Sequence, residues 1–208
     1  MATNDFRAGP GRGLRPLRIP AFRGIFVGAA CSGVTDGIVP VAFAVHSIQV
    51  FGSATALTVI LIALWAGRFA CTPIAGVAAA RGDQFTVMIG SDVVRLVAQG
   101  GLALVLVGTG RDSLTAMAVS AAIFGAGTAF YAPALSTVLP RVVPGPDLRR
   151  SNALIALVAD TSVLVGPALA VLLTETMGFV WILVFDSLTF GMNLFALVYA
   201  RRAAGAVP

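Results

Sequence analysis

Six long apolar runs, divided by short polar breaks, decide what this chain can fold into. They lie at about 24–50, 54–80, 85–108, 114–140, 151–174 and 179–200. The breaks between them fall at Phe51-Gly52-Ser53, Arg81-Gly82-Asp83-Gln84, Gly110-Arg111-Asp112-Ser113, Arg141 to Arg150 and Glu175 to Gly178. An α-helix needs roughly 20 apolar residues to cross ~30 Å of hydrocarbon. Each run is long enough. Transmembrane barrels need segments of about 10 residues that alternate in polarity, and these runs are too long and too continuous. Only 11% of the 208 residues are charged, less than half the roughly 25% of a soluble domain. An ordinary soluble enzyme, a nucleic-acid-binding domain and a disordered protein are thereby excluded. The chain reads as an all-α polytopic membrane protein with a lipid bilayer around it.

The arginines orient it. All 14 basic residues are Arg, so lysine chemistry is absent, and the formal charge is +5. With the N-terminus inside, the inner side holds eleven arginines and the outer side only Arg111, while Arg68 and Arg95 lie within spans. That bias follows the positive-inside rule. It predicts a cytoplasmic basic tail at 1–23, a six-helix bundle at 24–200 and a cytoplasmic tail at 201–208. The first 23 residues lack the short apolar core and small-residue cleavage site of a secretory signal. Cys31 and Cys71 fall inside apolar runs and form neither a metal motif nor a disulfide framework. No metal and no cofactor is expected.

A shift of 94 residues places Asp92 on Asp186, and the break at 81–84 on the break at 175–178. This fits a 3+3 inverted repeat, a common transporter plan.

Charges inside a bilayer are functional candidates, because each costs about 2.5–3.5 kcal/mol on insertion scales. Asp36 lies ~18 Å into the first helix and Arg68 ~21 Å into the second, so both sit near the midplane. Antiparallel neighbours would let them pair, with Asp36 as the proton site and Arg68 as its modulator. Asp160, ~14 Å into the fifth helix, is the second substrate or proton candidate. Asp92 and Arg95 are three residues apart on one helical face and are expected to have a structural role with Arg81 or Arg141, in what the family resemblance described next implies is the cytoplasmic gate network. Asp186 is expected to pair with a neighbour, and the family resemblance described next implies that helix six turns it outward. His46, the only histidine, reads as solvated or hydrogen-bonded near the outer end of helix one. Trp65 and Trp181 are cavity or packing aromatics. Gly28, Gly33 and Gly37, like Gly125 and Gly127, recur near the helical repeat and permit close helix packing. Gly166-Pro167 should kink or loosen helix five.

Several segments together resemble the N-terminal six-helix half of a major facilitator superfamily (MFS) transporter, in its bacterial drug-efflux and siderophore-exporter branch. The segments are Ser32-Gly33-Val34-Thr35-Asp36-Gly37 with Pro40-Val41-Ala42, Gly52 to Leu57, Pro73 to Val77, Pro133-Ala134-Leu135, Leu139 to Pro144, Ser151 to Leu154, and Gly166 to Ala170. The resemblance covers about Arg18 to Arg202. It implies a proton-coupled exporter of a small amphiphilic molecule, drug-like or siderophore-like, in the cytoplasmic membrane of a bacterium. It also implies that Asp36 is typical of the branch, and that Gly166 and Pro167 belong to an exporter-type segment of helix five. In the signature loop between helices two and three, Gly76 and Arg81 fit the family pattern. Ala80 replaces its aspartate, Asp83 its second glycine and Gln84 a basic residue. Helix four lacks the arginine of some drug–proton antiporters.

A complete transporter of this kind has twelve helices. The expectation is therefore a half-length or truncated chain, a fragment or degenerate gene product, that needs a second six-helix half from a homodimer, a separate chain or a longer parent. The alternative is a non-transporting or degenerate membrane subunit. An intramembrane protease is excluded, since the lone His46 lies near a helix end and no glycine–x–serine–x–glycine element is present.

Overall fold

The chain folds as a bundle of six helices in a computed structural model that describes residues 12–205. The helices are α1 (Pro20–Phe51), α2 (Ala54–Arg81), α3 (Gln84–Thr109), α4 (Leu114–Val142), α5 (Gly145–Met177) and α6 (Phe179–Gly205). All six are long and apolar enough to cross a membrane. Their ends follow from local chemistry. Ser53, Asp83 and Ser113 accept hydrogen bonds from the first-turn amides of α2, α3 and α4, which satisfies donors a helix start leaves open. Gly52 and Gly110 close α1 and α3 at φ 57° and 61°, a left-handed conformation that favours glycine.

Three stretches differ from the sequence reading. The polar run 141–150 is mostly helical, because α5 starts at Gly145. Pro146 sits in its first turn, where no amide partner is lost, and Asp147 faces the helix dipole there. Within the basic tail, Arg12–Arg18 form a 3-10 helix that packs on α1 and α5 and brings Arg15 to 3.7 Å from Asp147. The C-terminal tail is helical to Gly205; residues 1–11 and 206–208 lie outside the described residues.

The packing order is that of a repeat. α1 lies against α5 and α6, α4 lies against α2 and α3, and α3 lies against α6. Exchanging α1 with α4, α2 with α5 and α3 with α6 maps this arrangement onto itself. The 94-residue offset also relates Pro73 to Pro167 and Gly33 to Gly127. α5 runs unbroken through Pro167. What Gly166 provides is proximity: a Cβ there would lie 2.6 Å from the Gly37 carbonyl carbon, and a Cβ on Gly37 would lie 2.2 Å from the Ser162 carbonyl oxygen. The matching pair α2 and α4 approaches as closely, with Gly67 against Ala122 and Gly125 against Leu64. Lipid gives apolar side chains no reason to cluster, so such backbone-to-backbone contact supplies the adhesion.

Gly166→Ala should therefore force α1 and α5 apart and cost about 1–3 kcal/mol, as overpacking does. Gly101→Ala has open space and should be neutral or slightly stabilising. Thermal unfolding in detergent micelles checks both; equal melting temperatures would refute the close-packing account.

Candidate functional site

A cavity of about 400 Å³ opens between α1, α2, α4 and α5, with Arg95 of α3 at its floor. Apolar and small side chains form most of the wall. Its charged groups are Asp36, Arg68 and Arg95, and its aromatic groups are Trp65, Phe124 and Tyr131.

Arg95 is the hub. Its side chain is 1% exposed. One guanidinium nitrogen, Nη1, donates to both carboxylate oxygens of Asp36, at 3.0 and 3.3 Å. The other, Nη2, donates to Asp92. The guanidinium plane also lies 4.2 Å from the Phe190 ring centre and 5.2 Å from that of Tyr131, an arrangement open to a flat delocalised cation and poorly suited to an ammonium. Glycine makes the room. A Cβ at Gly127 would sit 2.7 Å from the Arg95 stem, and one at Gly28 would overlap Asn193. Asn193 then donates from Nδ2 to Asp92 at 2.8 Å and reaches Ser32 at 3.3 Å and Tyr131 at 3.4 Å. Ser91 fixes α3 to α4 by donating to the Gly127 carbonyl at 2.9 Å. Two carboxylates thus share one cation, and only Asp36, about one-third exposed, reaches the cavity.

These positions correct several expectations. Asp36 pairs with Arg95 and not with Arg68. Arg68 lines the same cavity with its guanidinium 5.3 Å from the Trp65 ring centre. Arg95 and Asp92 bond within this central network and not to Arg81 or Arg141, because their shared face turns toward α1 and α6. Asp160 is exposed and does not line the cavity. The lining stripe of α5 runs through Ile155, Val158, Ala159, Ser162 and Val163, and residue 160 lies about 100° round the helix from 159. Asp186 does not face outward. It is fully buried, on the stripe Ile182, Leu183, Asp186, Thr189, Phe190 and Asn193 that α6 turns inward.

The loop between α2 and α3 forms a separate cluster at the end of the bundle where α1 begins and α6 ends. Asp83 meets Arg201 of α6 at 2.8 Å. Arg141 of α4 donates to Gln84 at 2.8 Å, and Gln84 in turn holds the Ala79 and Gly82 carbonyls. Arg81 is exposed, and Gly76 has open space on its helix. At the opposite end His46 bonds Asp112 at 2.8 Å and stacks on Phe179.

A sequence model described as the Major Facilitator Superfamily matches residues 25–207. The chain belongs to that superfamily. Within the superfamily it is 30% identical over 154 residues to macrolide efflux protein A of Streptococcus pyogenes, and equally to the protein of that name from serotype M6 of the same species. The match covers 73% of this chain and 37% of each relative, so the chain spans well under two thirds of the curated relatives it matches. No solved structure matches. Tyr131, Asn193 and Ser32 complete the superfamily chain's central network; Ser32 opens the helix-one segment quoted from the sequence, without a role assigned to it, and Tyr131 and Asn193 were not singled out. Each is a neutral residue in an apolar run, and only the partner it meets across the bundle gives it a role.

Truncating the hub should be severe. Arg95→Ala strands two carboxylates in the bundle and should cost about 3–5 kcal/mol, the usual penalty for breaking a buried ion pair from one side. Arg95→Lys should rescue little, since an ammonium cannot bridge two acids while stacking on two rings. Arg68→Ala should melt close to the wild type. Detergent-phase melting curves decide it, and equal losses at 68 and 95 would remove Arg95 from the centre of the network.

Proposed function

We propose that this chain is the N-terminal half of a proton-coupled exporter that moves a small amphiphilic molecule out of a bacterium. In this reading it sits in the cytoplasmic membrane with both termini cytoplasmic, and a second six-helix half faces it. The two bundles rock about a midplane site. One observation carries the reading: an acid and a free-standing arginine, Asp36 and Arg68, line one apolar, aromatic cavity that is open on one side. Similarity to a macrolide efflux protein supports an amphiphile as cargo.

Asp36 would receive either the proton or a cationic group of the cargo. Either one neutralises it and releases Arg95 to Asp92 alone, so the two occupants compete for one carboxylate. Arg68, engaged among the described residues with Trp65 alone, would set the field at the cavity mouth. The flanks of α2 and α5 expose large apolar side chains, among them Ile62, Phe69, Leu157 and Leu164, and the second half would cover them. Asp160 lies on the same side of the bundle as a candidate contact with that half. The cluster of Arg81, Asp83, Arg141 and Arg201 would serve as the cytoplasmic gate, with Asp83 in place of the acid missing at Ala80.

Accumulation of a labelled macrolide in an efflux-deficient bacterium tests this, with the chain expressed alone and together with a second half. Expression with the second half should lower accumulation, a protonophore should reverse the effect, and Asp36→Asn should reduce export at least tenfold. Undiminished export by Asp36→Asn would refute the role of the acid. Ala80 favours a second reading, a membrane subunit that does not transport, and unchanged accumulation in every pairing would select it.

Orientation has its own check. In a Cys31→Ala, Cys71→Ala background, Arg111→Cys should react with an impermeant thiol reagent in intact cells, and Arg201→Cys only after lysis. The reverse pattern would invert the topology.

A further inference from the structure

The central network accounts for one of two acids that the repeat places at the α3–α6 contact. Asp92 on α3 meets Asn193 on α6 at 2.8 Å. The 94-residue offset converts Asp92 into Asp186 and Asn193 into Gln99, so the symmetric counterpart of the made pair is Asp186 with Gln99. The packing register agrees. α3 and α6 run antiparallel, since Gly100 faces Ser187 while Leu96 faces Gly191. From Asp92 to Gln99 is seven residues along α3, and from Asn193 back to Asp186 is seven along α6. The second pair therefore lies two turns from the first, ~10.5 Å along the same seam.

Both members of this second pair are fully buried. Among the described residues, neither carboxylate oxygen of Asp186 makes a well-formed hydrogen bond, since the Thr35 hydroxyl of α1 beside it donates to the Ser32 carbonyl at 2.9 Å, and the Gln99 amide nitrogen has no partner either. The other end of the Gln99 amide is engaged only by Ser120, 3.4 Å away. These orphan groups are complementary. A neutral carboxyl has one donor and one acceptor, and a primary amide offers the reverse. No cation bonds Asp186. The titratable and charged groups that face this seam are Asp36 from α1, Asp92 and Arg95 from α3, and Tyr131 from α4, with the Arg95 guanidinium already divided between two acids. α5 brings none, since Asp160 is exposed and Glu175 is bonded to Gln49 at the bundle end.

We infer that Asp186 and Gln99 form a second proton-binding site, in which Asp186 holds a proton as a neutral acid against the Gln99 amide. Once Asp186 is protonated, its O–H would donate to Gln99 Oε1 and Gln99 Nε2 would donate to the remaining carboxyl oxygen, two bonds between groups that the structure leaves unpartnered. At the α3–α6 contact the two repeats thus carry one acid each with different duties: Asp92 is the anion bound to arginine, and Asp186 is the protonated acid bound to an amide. This site is independent of the cargo and of the direction of transport.

Infrared spectroscopy of the chain reconstituted in lipid nanodiscs at neutral pH reads this out without any transport assay. The wild type should show the carbonyl stretch of a protonated, buried carboxyl, shifted down on exchange into heavy water. Asp186→Asn should abolish it and Asp92→Asn should leave it. Gln99→Leu, which keeps the acid, should move the band to higher frequency as the amide bond to the carbonyl is lost. If Asp186→Asn fails to fold, the Gln99→Leu shift stands alone as the test. An absent band in the wild type, a band that survives Asp186→Asn or disappears in Asp36→Asn, or a band unmoved by Gln99→Leu would each overturn the assignment.

Discussion

A guanidinium held at the centre of a lipid-embedded bundle sets terms for everything around it. Its desolvation costs several kcal/mol even after relaxation, and only short, well-aimed contacts repay that. Arg95 obtains them from three helices other than its own: Asp36 from α1, Tyr131 from α4 and Phe190 from α6, with Asp92 one turn back on α3. Each contact fixes the rotation of the helix that supplies it. Gly127 and Gly28 are then required, because the stem of Arg95 and the amide of Asn193 occupy the volume where their side chains would be. The network and the small-residue seams are one solution to one problem.

The repeat explains why that solution is lopsided. Two inverted three-helix units meet at the α3–α6 contact, and symmetry brings Asp92 and Asp186 to it together. Arg95 has no such counterpart: the residue 94 positions later is Thr189, which is bonded to Thr35 across the α1–α6 contact. One repeat therefore places a cation beside its acid, and the other places a hydroxyl. The same scaffold yields two acids in unlike surroundings, a common route to different proton duties within one fold.

The sequence made the helices legible and their rotations much less so. Six runs, their breaks and the repeat offset all depend on hydrophobicity along the chain, which a bilayer enforces strongly. Rotation depends on which faces meet, and α1, α2 and α6 carry apolar residues on every side. Asp186 illustrates the loss: nothing along α6 marks its inner face, because Phe185 and Leu188 on the outer side are as apolar as Leu183 and Phe190 on the inner. Asp36 and Arg68 were legible as deep charges near the midplane. Their pairing was not, since depth alone cannot rank Arg68 above Arg95 when both lie within a few turns of the midplane. The offset from Gln99 to Asn193 would have revealed the second acid–amide pair, had polar residues as well as charges been compared between the repeats.

Arg68 and Arg95 divide the labour that a single arginine could not. A cation that anchors two acids inside the bundle cannot also respond to what enters the cavity without loosening the helices it holds. Arg68 holds nothing of that kind; its partner is the face of a half-exposed tryptophan, a contact worth about 0.5–1 kcal/mol when solvated. It can change partners at small cost. Asp36 stands between the two, bonded to Arg95 and exposed to the cavity that Arg68 lines. Any proton or cationic group that reaches Asp36 alters the charge balance at Arg95 first, and through it the α1, α3 and α6 contacts. The cavity and the packing of the bundle are thus coupled through one carboxylate.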